Sequence, residues 1–559
     1  MSLNKLTIKK FHDGLLKKDF SALEITKEFF KEISGKDSKI GAYLSLNEEG
    51  AIYQAKAVDA SVADGKSIGT LAGVPLAIKD NMLIKGLRAT AASKILENYV
   101  ASYDAGVIQK LKTEQAVFLG KTNMDEFAMG SSTENSAFKI TRNPRDLERV
   151  PGGTSGGSAA AVAADLALGA LGSDTGGSIR QPAAFCGVVG LKPTYGAVSR
   201  SGLIAAVSSL DQIGTLTKTV QDTALLFNAI RGRDPLDATS SEPLADESYE
   251  NRLLNPDFEK IKGMTVGIPK EYFIEGLNKE VGDSIELAMK TMESFGVKFK
   301  KISLPHTKYA LSCYYIINYA EISSNLARFD GIRYSRISAE RTPSLALTAS
   351  RGGQMNADNF PRESAPAPTP SFGVGVNPRK SALLNIYMKQ RGKGFGAETK
   401  RRIILGTFVL SSGYYDAYYK KAQQIRRLIK NDFDKAFKNV DIILTPVTPE
   451  LPFKIGEKTS DPLSMYLSDI FTIPVNLAGL PALALPVRTQ INADKMQTNA
   501  DNFPRESAPA PTPSFGVGVN PRKSVSLPIG FQLIGKPWHE PDILGLGQYY
   551  EKITVPELY

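Results

Sequence analysis

Cysteine and histidine are scarce in this sequence of 559 residues, which contains two cysteines and three histidines. Cys186 and Cys313 lie far apart and in no spacing typical of metal ligands. This argues against a disulfide framework and a zinc site, and it favours a reducing compartment. So few histidines also leave little choice of imidazole base for a serine hydrolase.

Long apolar runs are missing too. No stretch of about 18 apolar residues occurs, and residues 1–20 lack the apolar segment of a secretory signal. We therefore expect a cytoplasmic protein with no membrane partner.

The charge excess is small for a chain of this length. The 68 Lys and Arg against 58 Asp and Glu give a formal net charge of +10, which would suit a polyanionic partner such as RNA. The short basic groups lie within helix-like segments, where solvated helix faces explain them better than a nucleic-acid site does. Charge alone does not establish nucleic-acid binding.

Short apolar runs alternate with helical patterns over most of the chain. The predicted strands are residues 73–79, 116–120, 264–268, 297–302, 440–444 and 531–534. The predicted helices are two within 6–34, then 49–63, 158–168, 219–231, 283–294 and 540–553, with a long helix-compatible run over 394–428. This alternation predicts an α/β fold with a largely covered central sheet.

One segment occurs twice. Residues 356–381 recur letter for letter as 499–524, in surroundings that are otherwise dissimilar, which indicates a copied insertion rather than a structural repeat. The Pro-rich and Gly-Val-rich composition cannot readily build a helix or a buried strand. We predict two mostly disordered surface excursions with no role in chemistry. The alternative is a functional Pro-rich ligand.

Residues 150–180 contain two turns rich in glycine and hydroxyl side chains, 152–158 and 175–178. They flank the Ala-rich segment predicted as a helix that Gly169 ends. Glycines let backbone N–H groups converge on an anion, so the second turn is suited to an oxyanion hole. Plain surface loops are the alternative.

Two familiar motifs match this sequence only in part. Ser155 lies in a G-x-S-x-G pattern, but that pattern requires a histidine base, and neither His306 nor His539 has an obvious carboxylate to orient it. Residues 120–122 match the end of a phosphate-binding loop, but Gln115 stands where its first glycine is required. We expect neither a Ser-His-Asp hydrolase nor an NTPase site.

Lysine is the alternative base. Lys79 ends the apolar run of residues 73–79, and it is either a surface residue or a desolvated amine. To accept a proton, its pKa of about 10.4 must fall by about two or three units, at a cost of about 3 to 4 kcal/mol. A second hydroxyl could then relay the proton between the lysine and a nucleophile.

Three segments together resemble the amidase-signature family: GVPLAIKDN at 73–81, PGGTSGGS at 151–158 and GSDTGGSIR at 172–180. The resemblance implies the amidase-signature fold, with a large mixed β-sheet surrounded by helices. It also implies a single amidase domain over residues 1–559, interrupted by the two copied insertions.

The same resemblance implies the catalytic roles. Ser178 matches the family nucleophile, Lys79 its base, and Thr154 the relay hydroxyl that follows a cis peptide bond. The relay is usually serine, so threonine at this position keeps the hydroxyl and adds a methyl group. The implied oxyanion hole consists of backbone N–H groups of Thr175, Gly176, Gly177 and Ser178.

Within the family, the chain most resembles the branch of glutaminase subunits that belong to tRNA-dependent amidotransferases. The segments that carry this resemblance are 123–130, 325–331, 394–402, 410–416 and 471–481. The branch implies glutamine as the ammonia source and a glutamyl ester on Ser178. It further implies that Arg402 holds the glutamine carboxylate, that Asp469 holds its amino group, and that Tyr315, or its neighbour Tyr314, lines the pocket.

The resemblance also implies partners. Ammonia would pass to a B subunit that uses ATP and magnesium to activate Glu-tRNA(Gln) or Asp-tRNA(Asn), and a C subunit would complete a heterotrimer. This chain would then meet the tRNA only through the complex and hold no metal or cofactor itself. The alternatives are a free-standing amidase acting on small amides with the same triad, and an inactive scaffold, for which Thr154 and the two insertions argue.

Overall fold

The structure is a computed structural model that describes residues 6–243, 246–273, 276–330, 378–488 and 527–558. The surface excursions predicted for 356–381 and 499–524 lie outside this part of the chain, except that 378–381 form the first turn of a helix. A single domain over the whole chain stays a prediction.

The described residues contain eleven β-strands: β1 (Tyr43–Leu46), β2 (Pro75–Lys79), β3 (Val117–Thr122), β4 (Gly169–Asp174), β5 (Val189–Lys192), β6 (Gln212–Thr217), β7 (Thr265–Pro269), β8 (Lys298–Ile302), β9 (Ile442–Pro446), β10 (Ala482–Pro486) and β11 (Gly530–Ile534). They form one sheet in the order β1-β3-β2-β4-β6-β5-β10-β11-β9-β7-β8. Pairing is parallel where β2 meets β3 and β4 and where β7 meets β8 and β9, and antiparallel elsewhere. The predicted α/β fold with a mixed central sheet is confirmed.

The same part of the chain contains seventeen α-helices: α1 (Ile8–Lys17), α2 (Ala22–Ile40), α3 (Glu48–Ala63), α4 (Gly106–Thr113), α5 (Gly156–Ala163), α6 (Arg180–Cys186), α7 (Val220–Ile230), α8 (Tyr249–Leu254), α9 (Phe258–Lys262), α10 (Lys279–Ser294), α11 (Ala310–Asn325), α12 (Pro378–Gly394), α13 (Ala397–Val409), α14 (Lys421–Ala436), α15 (Pro462–Leu467), α16 (Ile473–Ala478) and α17 (Glu540–Thr554). None of these described helices is long and apolar enough to cross a membrane.

The sheet is the centre of the core. Every residue of β2, β3, β4, β5, β6, β9, β10 and β11 is buried, whereas the edge strands β1 and β8 are partly exposed. Strands buried along their whole length need cover on both faces, which explains their nearly continuous apolar sequences.

Two predicted helices differ from the structure. The helix predicted over 158–168 is α5, which ends at Ala163, and Gly169 begins β4 instead of ending a helix. Asp165 takes a left-handed conformation with φ of 61°, and the Leu168 N–H then donates to the Pro75 carbonyl at 3.1 Å. Pairing with β2 therefore overrides the helix propensity of this Ala- and Leu-rich segment.

The long run over 394–428 is also divided. It forms α13, a turn with Gly413 at φ of 84°, a single π-helical turn (Asp416–Lys420), and then α14. Glycine permits the positive φ that this turn requires.

The central strands bring the family motifs to one edge of the sheet. β2 ends at Lys79 and the parallel neighbour β4 ends at Asp174, so both carboxyl ends point the same way. The turn 175–178 follows β4 directly, and α5 begins at Gly156, within the first glycine-rich segment. The sequence motifs therefore meet although they are far apart along the chain.

Candidate active site

Lys79 is a fully buried lysine surrounded by hydroxyl groups. Its Nζ lies 2.6 Å from Thr154 Oγ1, 2.8 Å from Ser155 Oγ and 2.9 Å from Ser173 Oγ. None of these contacts is an ion pair, so the neutral amine is well accommodated here and can accept a proton from a neighbouring hydroxyl. Of the two interpretations of the sequence, the surface lysine is wrong.

Burial lowers the pKa of Lys79 to about 7, because the ammonium form loses its hydration. Asp125, Asp174 and Asp211 act in the opposite direction, since their negative charges favour the ammonium form. Neutral and protonated lysine are therefore present in comparable amounts near neutral pH, which is the condition for a general base.

The two glycine turns meet at Thr154. The peptide bond between Gly153 and Thr154 is cis, the Gly153 N–H donates to Gln181 Oε1 at 2.8 Å, and the Ser155 N–H donates to the Ser178 carbonyl at 3.1 Å. A side chain at Gly153 would place its Cβ 2.3 Å from Asp125 Oδ2. Glycine is thus required at this close approach.

Asp174 organises the turn that carries Ser178. Its carboxylate accepts the N–H groups of Gly177 at 2.9 Å and Ile179 at 3.1 Å, and it pairs with the Arg180 guanidinium at 3.1 Å. Burial opposes ionisation of Asp174, but the adjacent guanidinium outweighs it and lowers the pKa to about 2. The turn is therefore held by a permanent negative charge.

This arrangement changes the predicted oxyanion hole. The Gly177 N–H is taken by Asp174, so it does not serve as a donor to substrate in this conformation. Of the predicted oxyanion-hole donors, this leaves the N–H groups of Thr175, Gly176 and Ser178. The Thr175 hydroxyl donates to Asp211 at 2.6 Å, which fixes the start of the turn.

Ser178 and Lys79 differ in exposure. Ser178 keeps 8% of its surface exposed, whereas Lys79, Thr154 and Ser155 keep none. A substrate can therefore reach the Ser178 side while the lysine stays sealed from water, and this separation preserves the low pKa of the lysine.

Asp469 lies beside the same turn. Its Oδ2 accepts a hydrogen bond from Ser131 Oγ at 2.5 Å, while its buried Oδ1 has no donor among the described residues. A Cβ at Gly177 would lie 3.2 Å from that oxygen. Burial raises the pKa of Asp469 to about 7. An unsatisfied carboxylate oxygen in this position is suited to an ammonium group, which would also restore its ionisation.

Arg402 lies on α13 and is almost fully buried. Its Nε donates to Glu398 Oε1 at 2.6 Å and its Nη1 donates to Asn318 Oδ1 at 3.0 Å. The guanidinium also lies 5.5 Å from the Tyr315 ring centroid and 5.6 Å from that of Tyr466. Arg402 is thus held in one orientation by groups on three sides.

The two candidate tyrosines occupy different places. Tyr314 contacts the turn 175–178, since a Cβ at Gly176 would lie 2.8 Å from its hydroxyl oxygen. Tyr315 stacks on Tyr466 with ring centroids 4.0 Å apart, and it contacts Arg402 rather than the turn. Tyr315 therefore supports the arginine, and Tyr314 is the aromatic nearer to Ser178.

Sequence reasoning missed several contacts. Glu398 and Arg402 are spaced i, i+4 on a helix, a spacing that would have indicated their ion pair.

The expectation that the histidines lack carboxylates is wrong, because His306 contacts Asp432 at 3.0 Å and His539 contacts an aspartate at 2.5 Å. Ser155 nonetheless bonds to Lys79 rather than to an imidazole. In the described ranges, no three His, Cys, Asp or Glu side chains are grouped as metal ligands.

Comparisons with known proteins identify the family of the chain. The profile of the family described as Amidase matches residues 24–544. The A subunit of the glutamyl-tRNA(Gln) amidotransferase of Carboxydothermus hydrogenoformans is 50% identical over 556 residues, which cover 99% of this chain and 98% of that protein. The protein of the same name from Thermodesulfovibrio yellowstonii is 48% identical over 554 residues, with the same two shares. The crystal structure of the corresponding protein from Thermotoga maritima, which bears that name too, is 37% identical, with a TM-score of 0.69, and the match covers 99% of this chain and 96% of that one. The chain therefore belongs to the amidase-signature family.

Proposed function

We propose that this chain is the glutamine-hydrolysing A subunit of an amidotransferase that converts Glu-tRNA(Gln) to Gln-tRNA(Gln). The observation that carries the proposal is the buried Lys79 amine 2.6 Å from the Thr154 hydroxyl, next to the turn that ends in Ser178. Relatives with this activity in their names match nearly the whole chain at about half identity, which favours it over a free-standing amidase for small amides.

The chemistry begins with proton transfer through two hydroxyls. Ser178 Oγ attacks the side-chain amide carbon of glutamine and gives its proton to Thr154, which passes one to neutral Lys79. The negative charge on the amide oxygen is stabilised by backbone N–H groups of the turn 175–178. Threonine can serve here because only its hydroxyl takes part.

When ammonia departs, the proton taken up by Lys79 is transferred to the leaving nitrogen. Lys79 protonates the departing nitrogen through Thr154, so the C–N bond breaks and ammonia leaves a glutamyl ester on Ser178. Water then attacks the ester, and its proton travels to Lys79 and finally to Ser178 Oγ. Glutamate is released and the enzyme is restored.

The α-carbon of glutamine carries an ammonium group and a carboxylate. A site that recognises both needs one negative and one positive protein group. Asp469 offers a buried carboxylate oxygen without a donor among the described residues, which fits the amino group. Arg402 offers a guanidinium that is already oriented by Glu398 and Asn318, which fits the carboxylate. Tyr315 packs on that guanidinium and keeps it in place.

We also propose that the chain acts in the cytoplasm within a heterotrimer. A B subunit would use ATP and magnesium to activate the glutamate, or in some cells the aspartate, on tRNA, and a C subunit would join the two. The names of the relatives, which describe one component of a larger enzyme, support an assembly. So does a group of exposed apolar side chains on α13 and the following turns, because soluble proteins rarely leave such groups uncovered; its members include Ile404, Phe408, Tyr414, Tyr415 and Tyr418.

The test is ammonia transfer from isotope-labelled glutamine to Glu-tRNA(Gln) by the chain copurified with candidate B and C subunits. We expect weak glutamine hydrolysis by the chain alone and a clear rise when the partners, ATP and Glu-tRNA(Gln) are present. Ser178→Ala should abolish both reactions, while the control Ser61→Ala should not, because among the described residues the Ser61 hydroxyl on α3 bonds only to the Ala57 carbonyl. Rapid hydrolysis of simple amides without any response to the partners would instead identify a free-standing amidase.

A further inference from the structure

Two adjacent acidic residues after β3 contact different parts of the site. Asp125 accepts the N–H groups of Thr133 at 2.9 Å and Asn135 at 3.1 Å, and it lies against Gly153 of the catalytic turn. Glu126 turns the other way, towards the helix α13 that carries Arg402. The segment therefore links the catalytic turn to the substrate helix.

Glu126 is only 3% exposed, and both oxygens of its carboxylate accept hydrogen bonds. Oε1 accepts the Ser93 hydroxyl at 2.5 Å, and Oε2 accepts the Gly396 N–H at 2.8 Å and the Thr399 hydroxyl at 2.5 Å. Gly396 is the N-cap of α13 and Thr399 lies in its first turn. A carboxylate is favourable at a helix N-terminus, where free N–H groups converge.

Arg402 lies on the same helix as the residues that Glu126 contacts. Arg402 follows Thr399 by three residues, so both lie on neighbouring turns of one helix face. With a rise of about 1.5 Å per residue, a carboxylate at the N-cap lies within about 9 Å of the Arg402 backbone along the helix axis. Displacement of the first turn of α13 would therefore move the guanidinium by a similar amount.

The backbone around Glu126 is held firmly. Phe127 and Ala128 have φ of 49° and 59°, a left-handed conformation that residues other than glycine rarely adopt. The Phe127 N–H donates to the Ala91 carbonyl at 2.9 Å, and its ring packs on that of Phe395 with centroids 5.7 Å apart. Phe395 lies directly before the N-cap of α13, so a second contact ties the two segments together.

We infer that Glu126 is a positioning residue for glutamine: it fixes the N-terminus of α13 so that Arg402 meets the substrate carboxylate. The inference rests on the proposed function, because it needs Arg402 as the carboxylate-binding group. It predicts an effect on KM for glutamine and little effect on kcat, since Glu126 contacts neither Lys79 nor Ser178.

The experiment compares Glu126→Ala with Glu126→Gln in the full complex. Glutamine at this position keeps an oxygen for Gly396 and Thr399 and an amide N–H for Ser93, so it should retain KM within about threefold. Alanine removes all three hydrogen bonds of the side chain and should raise KM at least about tenfold, with kcat within about threefold. Glu97→Ala, which removes an exposed acid paired with Lys94, is the matched control.

Two further measurements separate positioning from general damage. Hydrolysis of butyramide, which has no α-carboxylate, should be the same in Glu126→Ala and the parent protein. The double variant Glu126→Ala, Arg402→Ala should have the KM of Arg402→Ala alone, since both changes remove one interaction. Thr399→Val, which deletes one donor to Glu126, provides the milder test if Glu126→Ala does not fold.

The outcomes are distinct. A higher KM for glutamine with Arg402→Ala but an unchanged KM with Glu126→Ala and Thr399→Val overturns the inference alone. An unchanged KM with Arg402→Ala overturns the proposed carboxylate site and the inference with it. Equal losses on glutamine and butyramide would make Glu126 a purely structural residue, which also overturns the inference.

Discussion

The pH dependence of glutamine hydrolysis tests the proposed base and the proposed ammonium site together. Catalysis requires neutral Lys79, whose pKa is lowered by burial to about 7. Binding of the glutamine amino group requires ionised Asp469, whose pKa is raised by burial to about 7. Both requirements fail as the pH falls, so both act in the same direction.

The expected magnitudes follow from these two pKa values. A single group with a pKa of about 7 is roughly one-tenth in its active form at pH 6 and nine-tenths at pH 8, a tenfold rise. Because kcat/KM reports the free enzyme, both groups contribute, and we expect it to rise roughly hundredfold from pH 6 to pH 8. In the bound complex the substrate ammonium keeps Asp469 ionised, so kcat should rise only about tenfold.

The assay is glutamate release measured from pH 6 to pH 9, with glutaramate as a second substrate. Glutaramate lacks the amino group, so its kcat/KM should follow Lys79 alone and rise about tenfold. Lys192→Met is the matched control, because burial also lowers the pKa of Lys192 to about 7, yet its Nζ donates to the Pro193 carbonyl outside the site. That variant should keep the profile of the parent protein.

Two results would refute this reasoning. A rate that still rises about tenfold per pH unit at pH 9 would mean that Lys79 keeps its ordinary pKa. Identical profiles for glutamine and glutaramate would mean that Asp469 does not bind the amino group.

Three further predictions follow from the same contacts. Thr154→Ala should lower kcat for glutamine hydrolysis by about 10²–10⁴ because the relay hydroxyl is lost, while Thr154→Ser should stay within a few-fold of the parent protein. Arg180→Met leaves Asp174 buried without its counter-charge, so denaturant unfolding should show a loss of about 3–5 kcal/mol. Lys79→Met should be more stable than the parent protein at pH 7. Its advantage should shrink by about 1.4 kcal/mol per pH unit between pH 7 and 10.5, since the unfolded chain binds the extra proton over that window and the stability of the parent protein rises with pH.

Local patterns predicted the elements whose stability is local. Of the two helices predicted within 6–34, the second is α2, and it begins with a capping box in which Ser21 and Glu24 make both hydrogen bonds. The apolar runs that end at residues 79 and 120 are parts of strands, since they pack on both faces. The helix predicted over 158–168 was too long, because Leu168 instead pairs with Pro75. These residues are far apart in the sequence, so local composition does not reveal the contact.

The candidate site shows the same limit. Spacing and motif resemblance singled out Lys79, Thr154 and Ser178, and the structure brings their segments together. No pattern in the sequence indicated that the Gly177 N–H is taken by the carboxylate of Asp174 three residues before it. That contact depends on the detailed path of the turn, which only the folded chain defines.

The low pKa of Lys79 results from opposing effects. Their balance limits the fall in activity at acidic pH. Burial disfavours the ammonium form, whereas Asp125, Asp174 and Asp211 favour it. A still lower pKa would leave more neutral amine but a weaker base, and a higher one would leave a stronger base that is mostly protonated at pH 7.

Burial also raises the pKa values of Asp125 and Asp211 to about 6. Below that pH both lose their charge, which lowers the pKa of Lys79 further and offsets part of its protonation. The acid limb of the activity profile should therefore flatten below pH 6, and the slopes between pH 6 and pH 8 are the ones that report the lysine.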